Sequence, residues 1–225
     1  PGTLLLKLFS KKRESFSKAR AEETQPSGWE EKPVLSMPLT EIHRQAGAQV
    51  GNFHGWWVPM RYTDVYEEVS ALRKNAAIWD IGYMGVLEVS GKEAMPFLQH
   101  LTTNDISRLK VGQVQYSFFL DEKAMPLDDV LIYRLRGQRY LVVVNAANRE
   151  KIKRWIEDGR AKSKAEDIRI LDLYNCLGQD KRVTLFSLQG PEAENILKEL
   201  TNSDLDALEY FHCRNMRVAG RQMLV

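Results

Sequence analysis

Apolar and polar positions alternate most regularly between Gln113 and Asn145. Three runs rich in β-branched and aromatic residues, Gln113 to Leu120, Leu127 to Leu135 and Arg139 to Asn145, are separated by short polar turns. That pattern predicts an antiparallel meander. The middle run opens with two adjacent carboxylates, Asp128 and Asp129. Strand propensity does not ask for them, because Asp is depleted in strands. Successive strand side chains point to opposite faces, so Asp129, Leu131 and Tyr133 share one face and Asp128, Val130 and Ile132 the other. One aspartate therefore lies in line with an aromatic, on a sheet that is apolar on both sides. Two readings stand at this point: a solvated strand end, or a carboxylate at the rim of a binding site.

The same periodicities place the other elements. Pro38 to His43 predicts a short helix ending near Gly47, and Gln49 to Phe53 a short strand. His54 to Met60 reads as an aromatic loop, with Trp56 and Trp57 as packing residues and His54 as a hydrogen-bonding residue rather than a metal ligand. Thr63 is placed to cap a helix over Asp64 to Asn75, with Val65, Val69 and Leu72 as its core stripe and Glu67 and Glu68 facing solvent. Gly82 and Gly85 allow close backbone approach before a strand at Val86 to Val89. Ser90 to Glu93 has the form of a capping box ahead of a helix carrying Phe97, Leu98 and Leu101. After the meander, Asn148 to Asp158 predicts a helix striped by Ile152, Trp155 and Ile156 and stopped by Gly159. Asp167 to Leu171 closes with a strand. Strand, helix, three strands, helix, strand is the split βαβ plan with one strand added, an α+β sandwich. Val183 to Gln189 predicts a further strand, Gly190-Pro191 a helix start, and Arg214 to Val225 a hairpin turning at Ala219-Gly220. Its last strand reaches Val225 with no cap or turn signal, an expectation of missing strand partners or a further domain.

Composition narrows the class. A chain of 225 residues with 44% hydrophobic and 28% charged content is ordinary for a globular protein. A net charge of +2 exerts no global pull on nucleic acid. Cys176 and Cys213 are far apart and outside any metal spacing, which argues against a disulfide framework or a cysteine zinc site. No apolar run approaches a spanning helix. Residues Pro1 to Ser36 differ from the rest: a short Leu-rich start, basic Lys11 to Arg13, then Gln25-Pro26-Ser27-Gly28. Their acids Glu14, Glu22 and Glu23 count against a mitochondrial leader, so this segment reads as an extension or docking helix outside the core.

Several short stretches then occur in a telling order: Gly47 through Arg61, Asp80 to Met84, Thr103 to Asp105, Tyr116-Ser117, Leu127 to Asp129, Val144 to Asn148, Leu188 to Pro191 and Val218 to Gly220. Together they resemble the aminomethyltransferases of the glycine cleavage system and their folate-dependent relatives, over Met37 to Val225 and roughly the first half of a family member. The resemblance implies a three-domain cloverleaf around a tetrahydrofolate site, represented incompletely here. It implies a ferredoxin-like domain at residues 86–171, inserted into a first domain made of residues 37–85 and 172–225. It implies Asp129 as the residue at the reaction centre and Met84, Tyr116, Asp129, Leu131, Tyr133 and Asn145 as folate-lining positions, with no metal. It implies transfer of a one-carbon unit from the aminomethyl-lipoyl arm of H-protein to tetrahydrofolate with release of ammonia. The setting is cytoplasmic in bacteria, or the mitochondrial matrix if the extension is a transit peptide.

Three departures qualify the resemblance. The family motif Asp-Val-Ser-His-Met stands here as Asp80-Ile81-Gly82-Tyr83-Met84. The glycine pair expected before the two aspartates is Ala124-Met125, followed by Pro126, which predicts a turn of another shape because neither residue takes positive φ cheaply. The family's Gly-Tyr-Thr-Gly-Glu segment would begin after Val225. Besides the enzyme, a non-enzymatic folate-binding scaffold and a related folate-dependent demethylase stay open. No dinucleotide-type glycine loop suggests an attached flavin domain.

Overall fold

The computed structural model describes residues 35–174 and 183–225. The extension expected over Pro1 to Ser36 lies outside the described residues except at its end, and so does Cys176. The described residues belong to two compact units, one ending at Glu68 and one beginning at Val69. Among them no helix is long and apolar enough to cross a membrane.

In the first unit, β1 (Leu35–Ser36), α1 (Thr40–Gln45), β2 (Gln49–Phe53) and β3 (Trp56–Arg61) include a three-stranded sheet in the order β1-β3-β2. Leu35 and Ser36 thus pair with β3 rather than belonging to the extension. The aromatic stretch is also a correction: it is not a loop but the second strand of a hairpin. His54 and Gly55 take φ of 49° and 83°, the positive pair that a tight hairpin turn requires. Trp56 and Val58 then alternate into the buried side. Pro59 pairs with Val50 beside a register shift, where a missing N–H is tolerated.

The helix α2 (Val65–Lys74) is capped by Asp64, not by Thr63 as expected: the Asp64 carboxylate accepts from the Tyr66 and Glu67 N–H groups. Glu68 does not simply face solvent either. Its carboxylate accepts from Tyr62 N–H at 2.6 Å and Thr63 N–H at 2.8 Å, closing the turn that enters the helix. Of the expected core stripe, Val65 and Val69 are exposed, by 51% and 49%, and Leu72 is half-buried.

The second unit contains β4 (Ala77–Asp80), β5 (Gly85–Ser90), α3 (Ala94–Leu101), β6 (Val114–Leu120), β7 (Pro126–Arg136) and β8 (Arg139–Val144). It continues with α4 (Arg149–Lys162), β9 (Arg169–Asp172), β10 (Phe186–Gln189), α5 (Ala193–Leu200), β11 (Asn215–Val218) and β12 (Arg221–Leu224). The meander is present, and the five-stranded sheet runs β6-β7-β8-β5-β9 with every neighbour antiparallel. β8 and β9 are parallel to each other with β5 between them, joined through α4. That is the split βαβ unit, with β6 as the added edge strand.

One face of this sheet packs on α3 and α4. Leu87, Val89, Phe119, Val130, Ile132 and Val142 from the strands meet Phe97, Leu98, Ile152 and Ile156 from the helices. Full burial of such side chains stabilises by about 1.5–3 kcal/mol each, the dominant favourable contribution to this α+β sandwich. Two expectations about the helix ends change. Ser90 to Glu93 forms no capping box, because Glu93 turns its carboxylate to the Glu166 and Asp167 N–H groups, both at 2.9 Å, and ties α3 to the loop before β9. Gly159 does not stop α4, which continues to Lys162. A Cβ at Gly159 would sit 3.0 Å from Leu101 Cδ2, so this glycine lets α3 and α4 approach.

Gly85 serves a close approach, as expected. A Cβ there would lie 2.5 Å from Val144 Cγ2 and 2.9 Å from Arg149 Cγ. Arg149 is buried behind it, paired with Asp172 at 3.0 Å and stacked 4.5 Å over the Tyr174 ring. β4 and β10 pair antiparallel, and β11 with β12 forms the expected hairpin, turning at Ala219 and Gly220 with φ of 49° and 77°.

Candidate functional site

Strand alternation sorts the two aspartates as the sequence predicts. Asp128, Val130 and Ile132 are buried on the helix-covered side, while Asp129 is exposed on the other face with Leu131 and Tyr133, both half-buried. Across β6, Tyr116 stands opposite Leu131 and Phe118 opposite Asp129. Across β8, Leu131 faces Val143 and Tyr133 faces Leu141. The result is an apolar floor with one carboxylate at its end.

The carboxylate of Asp129 is held at both oxygens. The Tyr116 hydroxyl donates to Oδ2 at 3.1 Å, and the Asn145 carboxamide Nδ2 donates to Oδ1 at 3.0 Å. An ionised carboxylate offers about four lone-pair sites, so two of them remain for a ligand. Partial desolvation, then the hydrogen bond to Asp129 and the charges of Asp129 and Asp128, raise the Tyr116 phenol above its ordinary value. Tyr116 therefore stays protonated near neutral pH and remains a donor. Its ring is 44% exposed and propped edge-on by Phe118, with centroids 5.2 Å apart.

β6 is an edge strand, yet Tyr116 is firmly placed. Asn104 Nδ2 donates to the Tyr116 carbonyl at 2.9 Å, and the Phe118 N–H donates to Thr103 Oγ1 at 3.2 Å. Asn104 N–H donates to buried Ser117 Oγ at 3.0 Å. The Thr103-Asn104 pair, noticed in the sequence without a role, rivets the strand that carries the aromatic.

Asn145 follows β8 directly, and its amide links both aspartates. Nδ2 lies 3.0 Å from Asp128 Oδ1, 3.0 Å from Asp129 Oδ1 and 3.1 Å from the Asp129 carbonyl. The Asn145 backbone N–H donates to Asp128 Oδ2 at 3.0 Å, and Asn148 Nδ2 donates to Asp128 Oδ1 at 2.6 Å. Asp128 is thus buried but satisfied, as a carboxylate out of water must be. Reading the strand alone gave Asp128 no part in the site. The clue was Asn148, three residues beyond Asn145 and at a helix start.

The remaining expected positions divide. Met84 immediately precedes Gly85, which pairs with Val144, so register brings it to the same sheet end as Asn145. Leu131 forms the floor between Tyr116 and Val143. Tyr133 lies four residues along β7 from Asp129, roughly 13 Å at strand spacing, and is not brought to the carboxylate. Burial, then the nearby Cys213 thiol, raises its phenol. Among the described residues no group of three or more His, Cys, Asp or Glu side chains could hold a metal ion.

The turn feeding the aspartates corrects another expectation. Ala124 does adopt positive φ, at 61°, although alanine does so at a cost. Asp121 organises this turn: its carboxylate accepts from Lys123 and Met125 N–H, both at 2.8 Å, and its own N–H donates to the Met125 carbonyl. At the variant motif, a Cβ on Gly82 would lie 2.4 Å from Thr184 Oγ1 and 2.9 Å from Asp80 Oδ1. The Thr184 hydroxyl donates to Asp80 at 3.2 Å, so threonine occupies the space a serine at position 82 would need.

Known proteins bear directly on this geometry. Residues 39–225 match the family described as the GCVT N-terminal domain. The aminomethyltransferase of Desulfitobacterium hafniense (strain Y51) is 39% identical over 188 residues, covering 84% of this chain and 49% of that protein. That of Symbiobacterium thermophilum is 39% identical over 190 residues, with the same coverage. Among solved structures, the glycine cleavage system aminomethyltransferase T from Bartonella henselae superposes with a TM-score of 0.70 at 28% identity, over 82% of this chain and 48% of that one. The chain spans about half the length of the curated relatives it matches. A profile matching most of the chain, an α+β fold shared with a solved relative and the ordered motifs agree: the chain belongs to the GCVT N-terminal domain family of the aminomethyltransferases.

Proposed function

We propose that this chain provides the folate-binding floor and the reaction-centre carboxylate of an aminomethyltransferase of glycine cleavage. The observation that carries the proposal is Asp129, exposed on an apolar sheet face and held by Tyr116 and Asn145 at 3.1 and 3.0 Å. Such a face suits a flat ring that stacks on an aromatic and presents N–H donors to a carboxylate. Tetrahydrofolate, when bound, supplies the nucleophilic nitrogen that takes up the one-carbon unit.

The remaining roles belong to the chain. The Tyr116 ring and Leu131 hold the pterin plane, with Met84 and Asn145 at its edge and Tyr133 further along the floor. Asp129 accepts a hydrogen bond from the reacting nitrogen and fixes its lone pair towards the incoming methylene. It also takes up the proton that this nitrogen releases as the carbon–nitrogen bond forms. The one-carbon donor is the aminomethyl group on the lipoyl arm of H-protein: its carbon gains bonds to two folate nitrogens as its bonds to the amine and to the lipoyl sulfur break, and the two protons those nitrogens give up leave on ammonia and on the regenerated thiol, one of them by way of Asp129. The named relatives are bacterial, which supports a cytoplasmic setting for this reaction.

The proposed domain plan places residues 86–171 as an insertion in a domain made of residues 37–85 and 172–225. The antiparallel pairing of β4 with β10, which flank the insertion in sequence, supports it.

The test is tetrahydrofolate-dependent release of ammonia from aminomethyl-lipoyl H-protein, with calorimetric titration of tetrahydrofolate alongside. The proposal expects saturable binding, and weaker binding by Tyr116→Ala. Absence of tetrahydrofolate binding in the folded protein would overturn it.

A further inference from the structure

Asn148 sits at the N-cap position of α4, yet its side chain makes no capping hydrogen bond. Asparagine is among the preferred N-cap residues because its side-chain oxygen satisfies a free helix N–H. Here the side chain turns away and donates to buried Asp128 at 2.6 Å. The use made of this residue therefore lies at Asp128, not at the helix end.

Asp128 in turn governs Asn145. Its Oδ2 accepts the Asn145 backbone N–H, and its Oδ1 accepts both carboxamides, from Asn145 at 3.0 Å and from Asn148 at 2.6 Å. A carboxylate accepts only, so the Asn145 amide must turn its NH2 group towards Asp128 and its oxygen away. That same NH2 group lies 3.0 Å from Asp129 Oδ1. The chain of contact runs Asn148, Asp128, Asn145, Asp129, from a helix start through the strand to the exposed face.

We propose that Asp128 and Asn148 are positioning residues for Asp129. They fix the orientation of the Asn145 carboxamide, and through it the carboxylate that meets the ligand. Without Asn148, Asp128 loses one of the donors that pin it, and the Asn145 NH2 group is no longer fixed between Asp128 and Asp129. The consequence for folate chemistry rests on the function proposed above, but the positioning is a property of the ligand-free protein and is tested there.

The experiment compares the wild-type chain with Asn148→Ser, Asn148→Ala and Asp128→Asn. Serine restores a good N-cap to α4 but is too short to reach Asp128, so it separates helix stability from positioning. In Asp128→Asn one carboxylate oxygen becomes an NH2 group facing a donor, whichever way the amide turns. The readouts are thermal stability and hydrogen exchange of the Asn145 side-chain NH2 protons, assigned with Asn145→Ala. Asn148→Ser is expected to keep its melting temperature while Asn145 NH2 exchange accelerates by about tenfold or more, as local order is lost without global unfolding. Asn148→Ala is expected to show the same acceleration with a lower melting temperature. If Asp128→Asn fails to fold, the two Asn148 variants decide alone. Unchanged Asn145 exchange in folded Asn148→Ser and Asn148→Ala would overturn the proposal and leave Asn148 with a purely structural role. Tetrahydrofolate plays no part in this measurement, so its outcome is independent of whether folate is the ligand.

Discussion

The Tyr116 hydroxyl donates to the Asp129 carboxylate at 3.1 Å from the neighbouring strand, joining the most exposed aromatic of the floor to its one acidic group. Tyr116→Phe removes that donor and keeps the ring. It should weaken tetrahydrofolate binding by less than Tyr116→Ala, because the stacking surface survives. In the reaction it should cost about 1 kcal/mol of transition-state stabilisation, the worth of one hydrogen bond, seen as roughly a fivefold fall in kcat/KM. Steady-state kinetics of both variants checks the order.

Alkaline pH should destabilise the protein through its tyrosines. The phenols of Tyr83, Tyr116, Tyr133 and Tyr140 are all raised in the folded state, each with burial as the first cause. The folded protein then holds these protons more tightly than the unfolded chain does. Their contribution is fully present below the ordinary phenol value of about 10 and is lost as pH rises through the folded values. Melting temperature should fall as pH rises above about 10, more steeply in the wild type than in Tyr133→Phe, which lacks one of these phenols. Equal slopes would contradict the assignment.

Ala124 occupies the left-handed region at φ 61° in the turn that leads to Asp128 and Asp129. Glycine adopts this conformation without the Cβ clash, so Ala124→Gly should stabilise the protein by about 0.5–1 kcal/mol despite its greater unfolded-state entropy. Chemical denaturation reads it directly, and a loss of stability would show that the turn is not strained.

Gly82 and Thr184 should behave as a coupled pair. Gly82→Ser alone puts a Cβ 2.4 Å from the Thr184 hydroxyl and should cost about 1–3 kcal/mol, the usual range for overpacking. Adding Thr184→Ala opens that space, and the new serine can donate to Asp80 in its place, so the double variant should recover more than half of the loss. Additive costs would contradict the exchange of one hydroxyl for the other.

The sheet was legible in the sequence because its signal is periodic. Alternation along β7 sent Asp128 inwards and Asp129 outwards, and the order of elements gave the split βαβ plan. What was not legible involved choices between competing partners. Thr63 and Asp64 are both good caps, and only geometry selects Asp64. Glu93 fits a capping box but finds two N–H groups more than 70 residues away in sequence. His54 to Met60 reads as an aromatic loop in the sequence, yet Trp56 to Arg61 is a strand, and a register shift accommodates its Pro59. In the site, Tyr133 shares the face of Asp129 but stands four residues further along the strand, a separation that alternation alone does not convey. Alternation points Asp128 away from the floor, yet the carboxamide of Asn145, just past the end of β8, ties it to Asp129.

The decisive measurement therefore falls on Asp129 itself. Asp129→Asn keeps shape and hydrogen-bonding reach but removes the charge and the proton acceptor. Single-turnover formation of methylenetetrahydrofolate from aminomethyl-lipoyl H-protein should slow by roughly 10²-fold or more, with tetrahydrofolate affinity little changed, as expected for a group that acts in the transition state. An unchanged single-turnover rate in a folded Asp129→Asn protein that still binds tetrahydrofolate would contradict the account.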